Sequence, residues 1–454
     1  MTVIAHGIGG VRDLPVPESF FFSTAAIVLV VSFVLLGALW KRPLLERHAS
    51  GRRLPRRLER VVLSRAIRIV LQAASVGLLL VTFASAFLGT TIELLNFAPT
   101  FVYVIFWVGL PVLSVALGDV WRVLSPWRAI ADATVWVIET AGRREARALV
   151  PSSARFGRYP AAAALFAFVA LELAYQRPSA PRTLAVAIAI YTYWALAGMA
   201  VFGREAWTRQ GEGFAVAFSL FARMAPFAAE DGAVVIRWPL VGLAGRERVP
   251  GTLLVVAVML GSTSFDGFSR APFWQDLVAD VRASLSDETQ RTIDLALTLV
   301  NVAGLAGFVV AVLTTYLVAV AWAERLVRSP RSLVPDFVLP LVPIAFAYVL
   351  AHYFSLLVRQ GQFIASLASD PLGRGWDLLG TAAFAPNLTL PSAETTWYVQ
   401  VVALTAGHVA GLAVAHDRAV TLFRDRGDAL RSQYPMLALM ILYTVGGLWL
   451  LSQG

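Results

Sequence analysis

The chain of 454 residues contains no cysteine, a single lysine at Lys41 and only five histidines. Without cysteine there is no disulfide, no thiolate metal ligand and no cysteine nucleophile. The HExxH, GxSxG, Walker A and dinucleotide-binding motifs are also absent from the sequence. These absences exclude thiol chemistry and leave no recognisable catalytic template.

Charged side chains are scarce as well. Only 15% of the residues are charged and 58% are hydrophobic, whereas a soluble domain is about 25% charged. Uncharged stretches of about 20 residues have the length that a bilayer-spanning helix needs. The composition therefore predicts an all-α, polytopic integral membrane bundle that forms a single domain over residues 1–454, with the lipid bilayer as its first partner.

The apolar stretches predict about ten transmembrane helices, preceded by an exported tail over residues 1–18. The predicted spans are 19–40, 69–88, 98–117, 159–175, 183–202, 250–265, 295–321, 337–357, 396–415 and 434–451.

The basic residues predict the orientation. Thirty of the 38 Lys and Arg residues lie in alternate connecting segments. These segments are 41–68, 118–158, 203–249, 323–336 and 416–433. The positive-inside rule places them in the cytoplasm and both termini outside. The net charge of +9 is then explained by topology, and no nucleic-acid partner is expected.

Two predicted spans carry a histidine in their interior, His352 and His408. Ionisable side chains in membrane segments usually face the bundle interior or a water-filled cavity. We therefore predict a polar path for a small molecule or an ion. Its candidate members are His408, Gln400, His352, Asp266, Glu93 and Asn301. The alternative interpretation is that the two histidines are packing residues that are hydrogen-bonded to neighbouring helices.

A second hypothesis concerns a metal at the outer face. His6 in the exported tail, His352 and Asp266 supply two imidazoles and a carboxylate, a set that suits Zn(II) or Cu(II). The alternative is that His6 belongs to an unstructured tail and that Asp266 is simply solvated at a helix exit.

Several phrases of the sequence resemble a known family. They are AHGIGG followed by DLPVP, GDVWRVLSPWRA, SFDGFS, GHVAGLAVAHDRA and SQYPMLALM. Together they resemble a group of bacterial multi-pass membrane proteins commonly labelled fenitrothion hydrolase. The resemblance implies a location in the bacterial plasma membrane and hydrolysis of an organophosphorus ester, without assigning catalytic residues.

Three functions follow as hypotheses. The favoured one is a permease or ion-coupled membrane protein whose polar path includes titratable histidines. The first alternative is a membrane-bound hydrolase with a mononuclear metal site at the outer face, since five histidines and one lysine are too few for a binuclear site of the usual kind. The second alternative is a structural membrane subunit.

The charge asymmetry gives a topology test. Cysteines introduced singly at Ser392 and Ser50 should react with an impermeant maleimide from outside and from inside the cell, respectively, because the two positions flank oppositely biased segments. The cysteine-free parent chain is the background control. Labelling of both positions from one side would contradict the predicted orientation.

Overall fold

The computed structural model describes residues 18–47, 51–62, 64–142, 148–150, 156–230 and 232–452. His6, His48 and Ser50 lie outside these ranges. The chain is 73% helical with almost no sheet, which confirms the predicted all-α class.

The helices of the described residues follow one another along the chain. They are α1 Glu18–Leu39, α2 Arg56–Val62, α3 Arg65–Leu88, α4 Phe97–Pro99, α5 Leu110–Leu117, α6 Trp121–Leu124, α7 Pro126–Gly142, α8 Tyr159–Leu173, α9 Pro181–Phe202, α10 Arg204–Gln210, α11 Gly213–Ala222, α12 Thr252–Phe268, α13 Pro272–Ser284, α14 Gln290–Leu326, α15 Val334–Phe337, α16 Leu341–Gln360, α17 Ile364–Ser369, α18 Ala393–Leu422, α19 Arg426–Arg431 and α20 Tyr434–Ser452.

A ten-residue π-helical segment, Thr100–Gly109, joins α4 to α5 in one continuous rod. Short 3₁₀ turns occur at Glu93–Leu95, Val241–Leu243 and Gly361–Phe363. A wider π turn changes the direction in which side chains leave the helix, and such turns are frequent at functional sites.

Six helical segments are long and apolar enough to cross a membrane, and a seventh is added if α12 and α13, which meet at 77°, count as one bent span. The six are Arg65–Leu88, Phe97–Leu117, Pro181–Phe202, Gln290–Leu326, Leu341–Ser369 and Ala393–Leu422. Of these, Leu341–Ser369 is 72% buried over its most apolar window, against 22% for Gln290–Leu326. The bundle therefore has a central helix, α16, surrounded by helices whose apolar side chains face outward, as in a multi-pass membrane protein.

The five basic segments contact one another at one end of the bundle. Strand β1 (Arg52–Arg53) pairs antiparallel with β3 (Ala233–Ile236), which pairs on its other edge with β2 (Phe227–Glu230). The Trp40 indole donates to Asp417 at 3.0 Å. Arg418 joins the same network through Glu46 at 2.8 Å.

The alternate segments contact one another at the other end. The Thr90 N–H donates to the Leu372 carbonyl at 2.9 Å, and the Arg177 guanidinium lies 3.8 Å from the Asp294 carboxylate. The Tyr103 hydroxyl donates to a further loop carbonyl, that of Pro178, at 2.9 Å. The polar side chains of the connecting segments thus close both ends of an apolar bundle.

A buried ion cluster ties α8 to α12 at the basic end. Glu247 lies 3.3 Å from the Arg158 guanidinium and 2.9 Å from that of Arg223. Burial by itself raises the pKa of Glu247, but the two arginines outweigh that effect and hold the pKa below its ordinary value. Glu247 is therefore ionised at neutral pH and contributes to stability there.

Glu247→Gln should lower the free energy of unfolding by about 2 kcal/mol at neutral pH, because it leaves two guanidinium groups without their carboxylate. A carboxylate whose folded pKa is lowered stabilises above its unfolded pKa and loses that contribution as the pH falls through the folded pKa. The difference between wild type and variant should therefore shrink on acidification. Unfolding in detergent over a pH series measures it.

Glu205→Gln is the matched control, since the Glu205 side chain is 44% exposed beside Arg128 and exposed pairs contribute about 0 to 1 kcal/mol. A pH-independent difference for Glu247→Gln would contradict the assignment of an ionised Glu247.

Candidate functional site

The site is built around Asp266 in the last turn of α12. The helix continues through Asp266 and ends at Phe268. The chain then bends by 77° into α13, which starts at Pro272. Proline at a first helical position is favourable because its missing N–H has no intrahelical partner there. The bend leaves the Asp266 carboxylate inside the bundle, where its residue is 3% exposed.

Three side chains converge on Asp266. The His352 Nε2 atom lies 2.7 Å from Oδ2, and the Tyr353 hydroxyl donates to the same oxygen at 2.9 Å. Arg270, one turn after Asp266, lies 3.4 Å from Oδ1. Buried carboxylates are stable only when paired and hydrogen-bonded, and this set of donors meets that requirement.

The donors differ in exposure. His352 and Tyr353, both from α16, are each 3% exposed, whereas the Arg270 side chain is 22% exposed. The cluster is thus closed toward the bundle and reaches solvent or headgroups only on the side of Arg270. Asp266 and His352 were predicted from the sequence as candidates, and the structure brings them together as a directly bonded pair.

Small residues let α18 pack closely on α16. Gly407 touches Ala347, and Gly411, one turn later in α18, touches the start of α16, so the two helices run antiparallel. Extending that register toward the start of α18 brings Gln400 level with His352. Gln400 is 3% exposed, and its amide nitrogen has no hydrogen-bond partner within the described ranges.

A small cavity of about 10 Å³, close to the size that holds one water molecule, lies beside His352, between α12, α16, α18 and α20. Its lining consists of Thr263, Gly267, Tyr348, Ala351, His352, Leu404 and Gly447. Gly447 is required there because any Cβ would overlap the Tyr348 hydroxyl. The cavity gives the Asp266–His352 pair a neighbouring space bounded mostly by small and apolar groups.

His408 lies deeper and is not joined to this cluster by any described hydrogen bond. Its Nδ1 atom donates to the Leu404 carbonyl at 2.8 Å, and its ring packs at 6.1 Å from that of Tyr348. In the described part of the chain, Nε2 has no partner. His416, on the same stripe of α18, instead contacts Gln433 and the Trp40 carbonyl, both at 3.0 Å.

The remaining predicted members of the polar path lie apart from Asp266. Glu93 is in the partly exposed turn Glu93–Leu95, and Asn301 of α14 accepts from the Trp274 indole at 3.0 Å. The metal hypothesis also required His6, which lies outside the described ranges. Within those ranges no group of three or more His, Cys, Asp or Glu side chains is arranged to hold a metal ion.

Sequence reasoning missed Tyr353 and Arg270. Arg270 follows Asp266 by four residues, a helical spacing that indicates a same-face ion pair. Tyr353 gives no such signal, because a residue adjacent to His352 projects about 100° away from it on a helix. Tyr353 reaches Asp266 because α12 packs against α16 at a place where both the His352 and the Tyr353 side chains contact the same carboxylate oxygen.

Asp266 and His408, which are both buried, should respond differently to mutation. Asp266→Ala should lower the free energy of unfolding by about 3 kcal/mol, because it strands three donors. His408→Leu should change it by less than about 1 kcal/mol, since it removes an unpartnered nitrogen together with one hydrogen bond. Thermal unfolding in detergent compares them, and equal destabilisation by both would contradict this account.

Comparison of the chain with protein-family models, with curated proteins and with solved structures gives no match. The site is therefore interpreted from the residues of this chain alone, and the resemblance to proteins labelled fenitrothion hydrolase stays a prediction.

Proposed function

We propose that this chain is a permease-like protein of the bacterial plasma membrane that couples the movement of a small solute or ion to protons at the Asp266–His352 pair. The observation that carries the proposal is the 2.7 Å contact between these two side chains inside the helical bundle. An imidazole beside a carboxylate can take up and release a proton near neutral pH. Intramembrane ionisable residues commonly mark proton relays and solute pathways.

The surroundings of the pair support this function over a purely structural one. The water-sized cavity of about 10 Å³ borders His352, and the level of Gln400 in α18 matches that of His352. A purely structural role for the pair gives no reason for the unpartnered amide nitrogen of Gln400 at the same level. Such polar groups are expensive in an apolar interior unless they interact with water or solute during function.

The proposal includes the number of membrane crossings and the side on which the termini lie. Ten crossings with both termini outside agree with the contacts of the five basic segments at one end and of alternate segments at the other. In this orientation the Asp266 cluster lies toward the outer face, since α12 runs outward from the buried Arg158–Glu247 pair. Protons would then reach the pair from outside.

Proteoliposomes that contain a trapped pH-sensitive dye test the function. With the membrane potential clamped and an inward proton gradient imposed, the wild-type protein should acidify the lumen faster than empty vesicles. Asp266→Asn and His352→Gln should each lower that rate about tenfold or more, because each removes a titrating member of the pair.

Asp276→Asn is the matched control, since Asp276 is an exposed carboxylate on α13. A wild-type rate equal to that of empty vesicles, or unchanged uptake in Asp266→Asn, would overturn the proposed function and leave the pair with a structural role.

A further inference from the structure

We propose that Glu172 is the residue that delivers protons to the Asp266–His352 pair. This inference rests on the proposed function and adds a named proton carrier on a third helix, α8. The sequence separates Glu172 from both members of the pair, and only the packing of α8 on α12 brings it near them.

Glu172 lies in the last turn of α8 and is 6% exposed. Its hydrogen-bonding neighbour is Trp107, which the π-helical segment Thr100–Gly109 carries. In the described part of the chain, Oε2 of Glu172 has no hydrogen-bond partner. An ionised carboxylate with an unpartnered buried oxygen costs far more free energy than a neutral carboxylic acid in the same place. The geometry therefore assigns a protonated Glu172 in the resting protein.

Glu172 interacts electrostatically with the pair. Its carboxyl group and that of Asp266 repel each other when both are ionised, and the Tyr353 side chain is affected by both. The neighbouring elements carry titratable or charged groups toward this end of the bundle. They include Asp266 of α12, Arg270 in the turn after α12, His352 and Tyr353 of α16, Tyr103 of the π-helical segment, and Asp294 of α14, whose carboxylate lies 3.8 Å from Arg177. α11 contributes no charged residue.

The charges of the cluster permit proton transfer without a change in net charge. Asp266 and Arg270 carry opposite charges and balance each other. With Glu172 protonated and His352 neutral, the cluster is neutral. When the proton leaves the Glu172 carboxyl group and bonds to the His352 imidazole, a carboxylate and an imidazolium form and the sum is still zero. Forming the two new charges costs desolvation energy, and the attraction of the imidazolium to the Asp266 carboxylate 2.7 Å away offsets part of that cost.

Tyr103 lies within electrostatic range of two glutamates. That side chain interacts electrostatically with both Glu172 and Glu93, and Glu93 is partly exposed. Glu93 was predicted as a member of the polar path. It would serve as the outermost carboxylate of the sequence Glu93, Glu172 and the Asp266–His352 pair.

Infrared spectroscopy of the purified full-length protein tests the protonation of Glu172. At neutral pH the wild type should show the carbonyl stretch of a carboxyl group that stays protonated because it is buried. The band should be missing in Glu172→Gln and present in Glu172→Asp, which keeps a carboxyl group. Glu288→Gln, which changes an exposed glutamate, is the control and should keep the band. A wild type without the band, or Glu172→Gln with the band unchanged, would overturn the inference.

Proton uptake into proteoliposomes separates this inference from the proposed function. Glu172→Gln should slow uptake about tenfold, and Glu172→Asp should recover part of the rate. If Glu172→Gln takes up protons at the wild-type rate while Asp266→Asn does not, Glu172 is not the carrier and the function stands. If Asp266→Asn also keeps the wild-type rate, the proposed function and the role of Glu172 both fail.

Discussion

The structure depends on one constraint, which is that the Asp266 carboxylate must be compensated inside an apolar bundle. An isolated buried charge costs many kcal/mol, so neighbouring elements have to supply donors. α16 supplies His352 and Tyr353, and the turn after α12 supplies Arg270. This requirement explains why the most buried helix of the bundle is also the one that carries polar side chains toward α12.

Polar networks are buried toward both ends of the bundle. At the basic end, Asp417 accepts from the Trp40 indole and from the backbone N–H of Leu45 at 3.1 Å, and Arg418 joins the same loops. These contacts hold α18 against the segment that follows α1. Toward the other end, polar atoms of Glu172, Gln400 and Ser355 lack partners among the described residues. Within the described ranges, polar atoms without a hydrogen-bond partner occur at the basic end as well, at Arg158 Nε and Asp336 Oδ2, so Glu172 is distinguished by its interaction with Asp266 and not by its missing partner alone.

The sequence predicts the helical class, the buried stripe of Gln400 and His408 on α18, and the proximity of Asp266 to His352. The spacing of apolar residues and the high cost of an ionisable side chain in a membrane can both be read from the sequence alone. It could not predict that Tyr353 shares the carboxylate oxygen, since that depends on how α12 sits against α16. The π-helical segment and the small sheet Arg52–Arg53, Phe227–Glu230 and Ala233–Ile236 are also set by tertiary contacts between distant segments. Strands of two to four residues carry too little pattern to be recognised.

The central claim is that the Asp266–His352 pair exchanges a proton, and solid-state NMR of ¹⁵N-histidine-labelled protein in lipid measures this directly. The His352 signals are assigned by their loss in His352→Gln. The account predicts that these signals change from neutral imidazole to imidazolium as the pH is lowered, and that the change is displaced in Asp266→Asn because the stabilising carboxylate is gone. His352 signals that keep one protonation state at every pH at which the protein stays folded would contradict the claim.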